Sequence, residues 1–512
     1  MTIHLSIVLF LPLAAGLVGA ALGARLVRWV VLAGTVLVLA YALVILVDFD
    51  AGSAGLQYVT DDEWISELGI RYELGVDGLN LFMIVLTAVA WVPCTLVACF
   101  REHERPRLFF FNVALAETAV LGAFMAQDLA LFIVFFDLML VPFYFLIGGW
   151  GQGDRVRATT KFVIYTLAGS LLMLAGAVAL GVLSTPDGGQ ISFSLAELEQ
   201  RSVSEGTQQW IVLLFALAFF VKAPLFPLHG WVPDTYRSTP IVVLALLSGV
   251  LSKVGVYGFL RIVLPVMPEG SQHWQELFII VAVFSILYGS VLAFSQDNVR
   301  LVVAYSSIAQ LGFIVLGIFA LDDKGAQGAV FQMLNHGLVV VPLFLIIGVI
   351  ALRANGSESV ARLGGMAFRA PVLAALFLLV TFATLAMPGS ANFVGELLVL
   401  FGAFEDKLVY GLVASVGVVL AGVYMIRVFQ RTMHNREGPP VESRDVGGLD
   451  LAAIAPLVAV IVALGVYPHF VVERTEAATV QKIEQARAFG GEQEARAPGG
   501  QRTSLPPPGD EP

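Results

Sequence analysis

Only two cysteines, Cys94 and Cys99, occur in 512 residues, and both lie in one apolar segment. They make neither a CxxC pair nor a zinc or iron–sulfur ligand set. Both read as packing residues, so redox chemistry is expected outside this chain. Charge is scarce as well. Asp, Glu, Lys and Arg make up 13% of the chain, against about 25% in a soluble domain. With 58% hydrophobic residues and a mean hydropathy of +0.85, a polytopic membrane protein is expected. The net charge of -10 comes with thinly spread basic residues, which excludes a nucleic-acid partner. No glycine loop fits a nucleotide: GWGQG at 149–153 follows no strand and opens no helix fingerprint. Residues 3–22 lack the basic start and A-x-A site of a signal peptide, so they read as a retained first span.

What is present is long apolar runs. They occur at 3–22, 28–47, 76–99, 109–127, 129–149, 161–184 and 210–230, then at 239–264, 275–294, 299–320, 327–352, 371–404, 408–430 and 451–470. The expected fold is therefore all-α with about 14 transmembrane helices, each run long enough to cross roughly 30 Å as a helix. Seventeen Lys and Arg fall in the loops after odd-numbered helices and five, Arg71, Arg201, Arg261, Lys324 and Lys407, after even-numbered ones. By the positive-inside rule both termini face away from the cytoplasm of a bacterial inner membrane. The stretch 485–512 is rich in Gly, Pro and charge, and disorder is expected there.

One stretch organises the rest: IVLLFALAFFVKAPLFPLHGWVPD within 211–234. Lys222 sits inside an apolar run, and Pro224 and Pro227 break the helix beside it. A cation next to a broken helix at membrane depth marks an ion-handling site. The twelfth run is broken too, at Pro388 and Gly389, and carries Glu396. Helices four to eight (109–264) and nine to thirteen (275–430) each hold five helices and one charged, broken helix, which suggests two inverted repeats. The remaining expected units are 1–108, holding helices one to three, and helix fourteen at 451–470.

Other intramembrane polar residues fill out a line. Asp137, among Phe135, Phe136 and Leu138, needs a cation or a proton, and Lys222 and Lys253 are the cations of similar depth. Lys253 lies mid-helix between serines and glycines, too deep to snorkel. His336 suits proton relay by its two ring nitrogens. Glu117 reads equally as relay acid or structural partner. His229 and Asp234 either line an entry path or cap a helix end.

The motifs GVDGLNLFMIVLT, FFDLMLVPFYFLIGGWG, VKAPLFPLHGWVPD, SKVGVYGFLR, AYSSIAQLGF, MLNHGL and FVGELLVLFGAF occur in this order across 70–430. Together they resemble the antiporter-like subunit M of bacterial respiratory complex I, NADH-quinone oxidoreductase. The resemblance implies a proton-translocating membrane subunit driven by quinone reduction elsewhere in the complex. It implies no cofactor in this chain, with NADH, FMN, iron–sulfur clusters and quinone on other subunits. The implied partners are the other membrane-arm subunits, the antiporter-like subunits L and N above all. Proton-transfer roles are implied for Asp137, Lys222, Lys253 and Glu396, with His336 between them. Glutamate at 396 points to subunit M, since the sister subunits usually carry lysine there. The chain is expected to end without the long lateral helix of subunit L. Two positions depart from the family pattern: Asp137 stands where glutamate is usual, and Gln310 where histidine is common. The alternatives are a multi-subunit cation/proton antiporter or membrane-bound hydrogenase subunit, and a structural spacer of the membrane arm.

Overall fold

The computed structural model describes residues 4–201, 203–434 and 444–496, with side chains through Arg487. Among the described residues, twelve helices are long and apolar enough to cross a membrane. Two of them, Ile241–Val266 and Asp323–Arg353, are buried along their whole apolar length and form the centre of the molecule. Glycines permit this packing. A Cβ on Gly337 would lie 2.6 Å from the Gly249 carbonyl oxygen, so the two central helices meet backbone to backbone.

The seventh and twelfth expected spans are not among the twelve, because neither is one helix. Glu205–Lys222 ends at the lysine, and the chain unwinds past Pro224 and the cis Phe226–Pro227 bond before the short helix Val232–Ser238. Pro371–Thr384 gives way to Ala391–Asp406 through a turn in which Ala386 (φ 54°) and Gly389 (φ 93°) take left-handed conformations. The prolines remove donors and the positive φ values stop helical propagation. Within the central helix around Lys253, two π-helical segments, Leu247–Leu251 and Phe259–Val263, bracket the lysine. Such bulges widen the backbone ladder and are frequent at functional positions.

The helical membrane fold is as expected, with four differences of detail. Gln57–Ile65 and Ile70–Val76 form an antiparallel hairpin. Its turn needs Gly69 (φ 65°), whose added Cβ would lie 1.9 Å from the Ile191 carbonyl oxygen. Arg261 is not a loop residue but a buried one inside the central helix, which takes one charge from the poorer side of the Lys/Arg count. The fourteenth run ends earlier, at Val466. After Pro468 a separate polar helix, His469–Arg496, follows. Residues 485–496 are thus helical rather than disordered, and the remainder of the expected tail, 497–512, lies outside the described residues. This 28-residue helix was not anticipated from the end of the chain.

The terminal helix lies across both halves on the hairpin side. Lys482 pairs with Glu199 at 2.6 Å, and Arg487 approaches Asp322 (3.5 Å) and Asp323 (3.2 Å). Gln327 donates to the Thr475 hydroxyl. The Lys482–Glu199 pair is mostly shielded from solvent (12% and 18% exposed). Lys482→Ala should lower unfolding stability by about 1–3 kcal/mol, read as a downward shift in a thermal scan, whereas Lys482→Arg should retain most of it. An unshifted Ala variant would show the strap carries no load.

Candidate functional site

The broken helix presents Lys222 at its last residue, where the side chain is buried. Its ammonium donates to the Phe136 carbonyl oxygen (3.0 Å) and sits 4.1 Å from the centre of the Phe136 ring. The fifth span explains why Phe136 is available. It is interrupted at Met139, between Leu129–Leu138 and Leu140–Trp150. Asp137 is the neighbouring residue, half-buried, with Oδ1 buried and without a hydrogen-bond partner. It acts on Lys222 through space. The direct Asp137–Lys222 ion pair expected from their depth is not formed; the carbonyl and ring of Phe136 hold the lysine instead. An aspartate is one methylene short of the usual glutamate, which fits this lack of reach.

The next cation, Lys253, is fully buried. It donates to the carbonyl oxygen of Ser248 in the first π segment (2.7 Å), which the Ser252 hydroxyl also bonds (2.8 Å), and to Ser252 Oγ (3.2 Å). Ser248 Oγ lies 3.3 Å from Ser307 Oγ on the neighbouring helix Val299–Phe319. His336, on the other central helix, is within electrostatic reach of Lys253, and both its ring nitrogens are buried without a partner.

In the second half a chain of amides leads to a carboxylate. Gln332 donates to Gln310 Oε1 (2.7 Å), and Gln310 donates in turn to Glu396 Oε1 (2.7 Å). Gly395 makes room: a Cβ there would lie 2.4 Å from Gln332 Oε1. Asn335 donates to the Ala391 carbonyl oxygen at the helix break (2.9 Å). Asn392, one residue on, is wholly buried with both amide atoms unpartnered. Ser306 and the Tyr424 hydroxyl meet at 2.8 Å nearby. Gln310 thus takes the place of an imidazole as an oriented bridge, not as a group that titrates.

The structure therefore bonds Gln310 to Glu396, sets Asp137 next to the Phe136 that holds Lys222, and leaves His336 within electrostatic reach of Lys253. It leaves three residues aside. Glu117 is wholly buried with both oxygens unpartnered, and no hydrogen bond joins it to the line. His229 lies in the unwound stretch between Phe226 (5.9 Å) and Tyr288 (5.1 Å). Asp234, in the first turn of Val232–Ser238, bonds Lys161, with Arg157 at 3.7 Å, and that helix has no side-chain cap. The sequence reading did not single out Ser306, Ser307, Gln332, Asn392 or Tyr424 as site residues. Their signal was a polar residue inside an apolar run, as in AYSSIAQ and SANF.

A family described as NADH:quinone oxidoreductase/Mrp antiporter, transmembrane, matches residues 126–421, which spans both broken helices. The chain belongs to this family. NADH-quinone oxidoreductase subunit M of Rhodobacter capsulatus is 36% identical over 486 residues, covering 92% of this chain and 94% of that protein. A chain of respiratory complex I from Thermus thermophilus with bound NADH superposes with a TM-score of 0.86 at 29% identity, over 94% of this chain and all (100%) of that one. The Mrp complex of a Dietzia species contains a chain of the same fold, with a TM-score of 0.81 at 23% identity over 96% and 99% of the two chains. Both solved chains thus share this chain's membrane architecture.

Gln310 is the only hydrogen-bonded link found between Gln332 and Glu396 among the described residues. Gln310→Leu leaves a buried carboxylate and a buried amide each short of a partner. The expected cost is about 1–3 kcal/mol, measured as reduced thermal stability, with Gln310→Glu closer to wild type at acid pH than at neutral pH. Equal stability of Gln310→Leu and wild type would argue against the bridge.

Proposed function

We propose that this chain is the M-type proton-translocating membrane subunit of an NADH-quinone oxidoreductase. The observation that supports the reading is a set of titratable side chains within the membrane-spanning helices: Lys222, Lys253, His336 and Glu396 are buried and Asp137 is half-buried, with Lys222 at one broken helix and Glu396 on the other. Each intramembrane charge costs about 2.5–3.5 kcal/mol on insertion scales. A spacer has no use for five titratable groups at such cost. The redox groups sit on other subunits, and this chain supplies proton transfer without a redox centre of its own.

The chemistry follows from how each proton is held. Lys222 keeps its charge through a carbonyl dipole and the face of an aromatic ring, contacts weaker than a carboxylate pair. When Asp137 moves away, the ammonium loses its nearest anion, and burial then favours the neutral amine. The released proton passes by way of ordered water to a neutral Lys253, whose carbonyl and hydroxyl partners accept an ammonium. His336 accepts it at either ring nitrogen and passes it on towards Glu396. The Gln310 amide hydrogen-bonds the carboxylate form of Glu396, and the free Oε2 is the atom that takes the proton. Quinone reduction elsewhere in the complex supplies the displacement of the Asp137 segment.

The two five-helix blocks, 109–264 and 275–430, serve as inverted halves around this line. The arginine-rich loops face the cytoplasm of a bacterial inner membrane, so that both termini lie on the opposite side. Neighbouring antiporter-like subunits L and N flank the chain. The second reading, a redox-independent cation/proton antiporter subunit, shares the fold. The 36% identity to subunit M over 92% of the chain favours the first.

Lys222→Ala should cut NADH-driven acidification of inverted vesicles by about 10²-fold, and pumping at the wild-type rate would overturn the reading. Asp137→Asn should impair pumping strongly while Asp137→Glu retains it. The opposite order would separate Asp137 from the switch.

A further inference from the structure

Lys253, Tyr257 and Arg261 recur every four residues along the same central helix, running from the line of buried charges towards the hairpin side. All three are buried. Arg261 makes a two-pronged ion pair with Asp77: Nη1 donates to Oδ2 at 2.7 Å and Nη2 to Oδ1 at 2.5 Å. Its Nε donates to the Tyr257 hydroxyl (2.8 Å), which donates to the Phe124 carbonyl oxygen (3.0 Å). The same carbonyl accepts from Asn80 Nδ2 (2.8 Å), and Asn80 Oδ1 accepts from the Asp77 amide (2.9 Å). Asp77 Oδ1 also accepts from the Leu79 amide (2.9 Å).

This cluster is saturated. None of the side-chain atoms of Asp77, Asn80, Tyr257 or Arg261 is among the buried atoms lacking a partner. The other end of the line is the reverse: Asn392, Glu396, His336, Gln332 and Asn335 all keep buried atoms free. Proton transfer needs an acceptor with a lone pair to offer and a donor that can give its proton up. Arginine does not deprotonate in proteins, and its planar fork is fully engaged here. A carboxylate bound on both oxygens by that fork, and by backbone amides, is a poor acceptor. The loop carrying Asp77 is itself pinned from outside: a Cβ on Gly78 would lie 2.5 Å from the Arg474 carbonyl oxygen on the terminal helix.

We propose that Arg261, Asp77 and Tyr257 form a proton seal that closes the hairpin-side end of the helix below Lys253. A proton on Lys253 is thereby directed sideways to His336 and Glu396 instead of escaping. The seal rests on the proton-transfer reading above. It adds three positioning residues that hold no proton in transit and act by denying a path. Their effect is on leak, not on turnover.

The test is passive proton entry into liposomes containing the whole complex, with an internal pH dye, a potassium diffusion potential and no NADH. Arg261→Met should raise proton entry about tenfold, equivalent to ~1.4 kcal/mol off the barrier, without release of an entrapped dye. Tyr257→Phe, which keeps the ion pair and removes only the hydroxyl, should raise it by less. Wild-type leak in both variants overturns the proposal, as does a leak matched by dye release, which marks a general packing defect. If Arg261→Met loses the subunit from the complex, Tyr257→Phe decides alone: raised proton entry supports the seal and unchanged entry overturns it. Leak is read without turnover, so its failure is distinct from a failure of Lys222→Ala to stop pumping.

Discussion

Everything in this chain depends on how two ammonium groups are kept inside an apolar interior. A buried charge must be paired or solvated by dipoles, or it loses its charge. Here neither lysine has a carboxylate bonded to it. Lys222 rests on the carbonyl and ring of Phe136, and Lys253 on the Ser248 carbonyl and a serine hydroxyl. For the proposed proton transfer, dipole solvation offers a hold on the proton that is weaker than a carboxylate pair. A short ion pair would have trapped it.

The backbone irregularities serve that requirement. Both lysines sit at interruptions of the helical ladder: a helix end beside two prolines and a bracket of π segments. The break at 385–390 interrupts the ladder ahead of Glu396. Other ion pairs serve structure instead. Arg261–Asp77 fixes the outer end of the central helix, and Lys482–Glu199 and Arg487–Asp322 tie the terminal helix across both halves.

The spans, the two broken helices and the five titratable residues were legible from sequence because each violates an apolar background. A lysine among phenylalanines is visible without a structure. Contacts that depend on packing were not legible. The similar depth of Asp137 and Lys222 suggested an ion pair, but only the positions of their helices reveal that Phe136 holds the lysine instead. Arg261 looked like a loop charge because it lies near the end of an apolar run; its partner, Asp77, is 184 residues away. The hairpin was hidden because its first strand carries Asp61, Asp62 and Glu63 in place of an apolar alternation, and the terminal helix by its polar composition.

The central claim is that a proton crosses this subunit by way of the buried line and ends on the second broken helix. The most direct measurement is the number of protons translocated per NADH oxidised by reconstituted complex carrying Glu396→Gln, with uncoupled NADH oxidation measured in parallel. A ratio lower than wild type is expected while uncoupled oxidation continues. An undiminished ratio would contradict it.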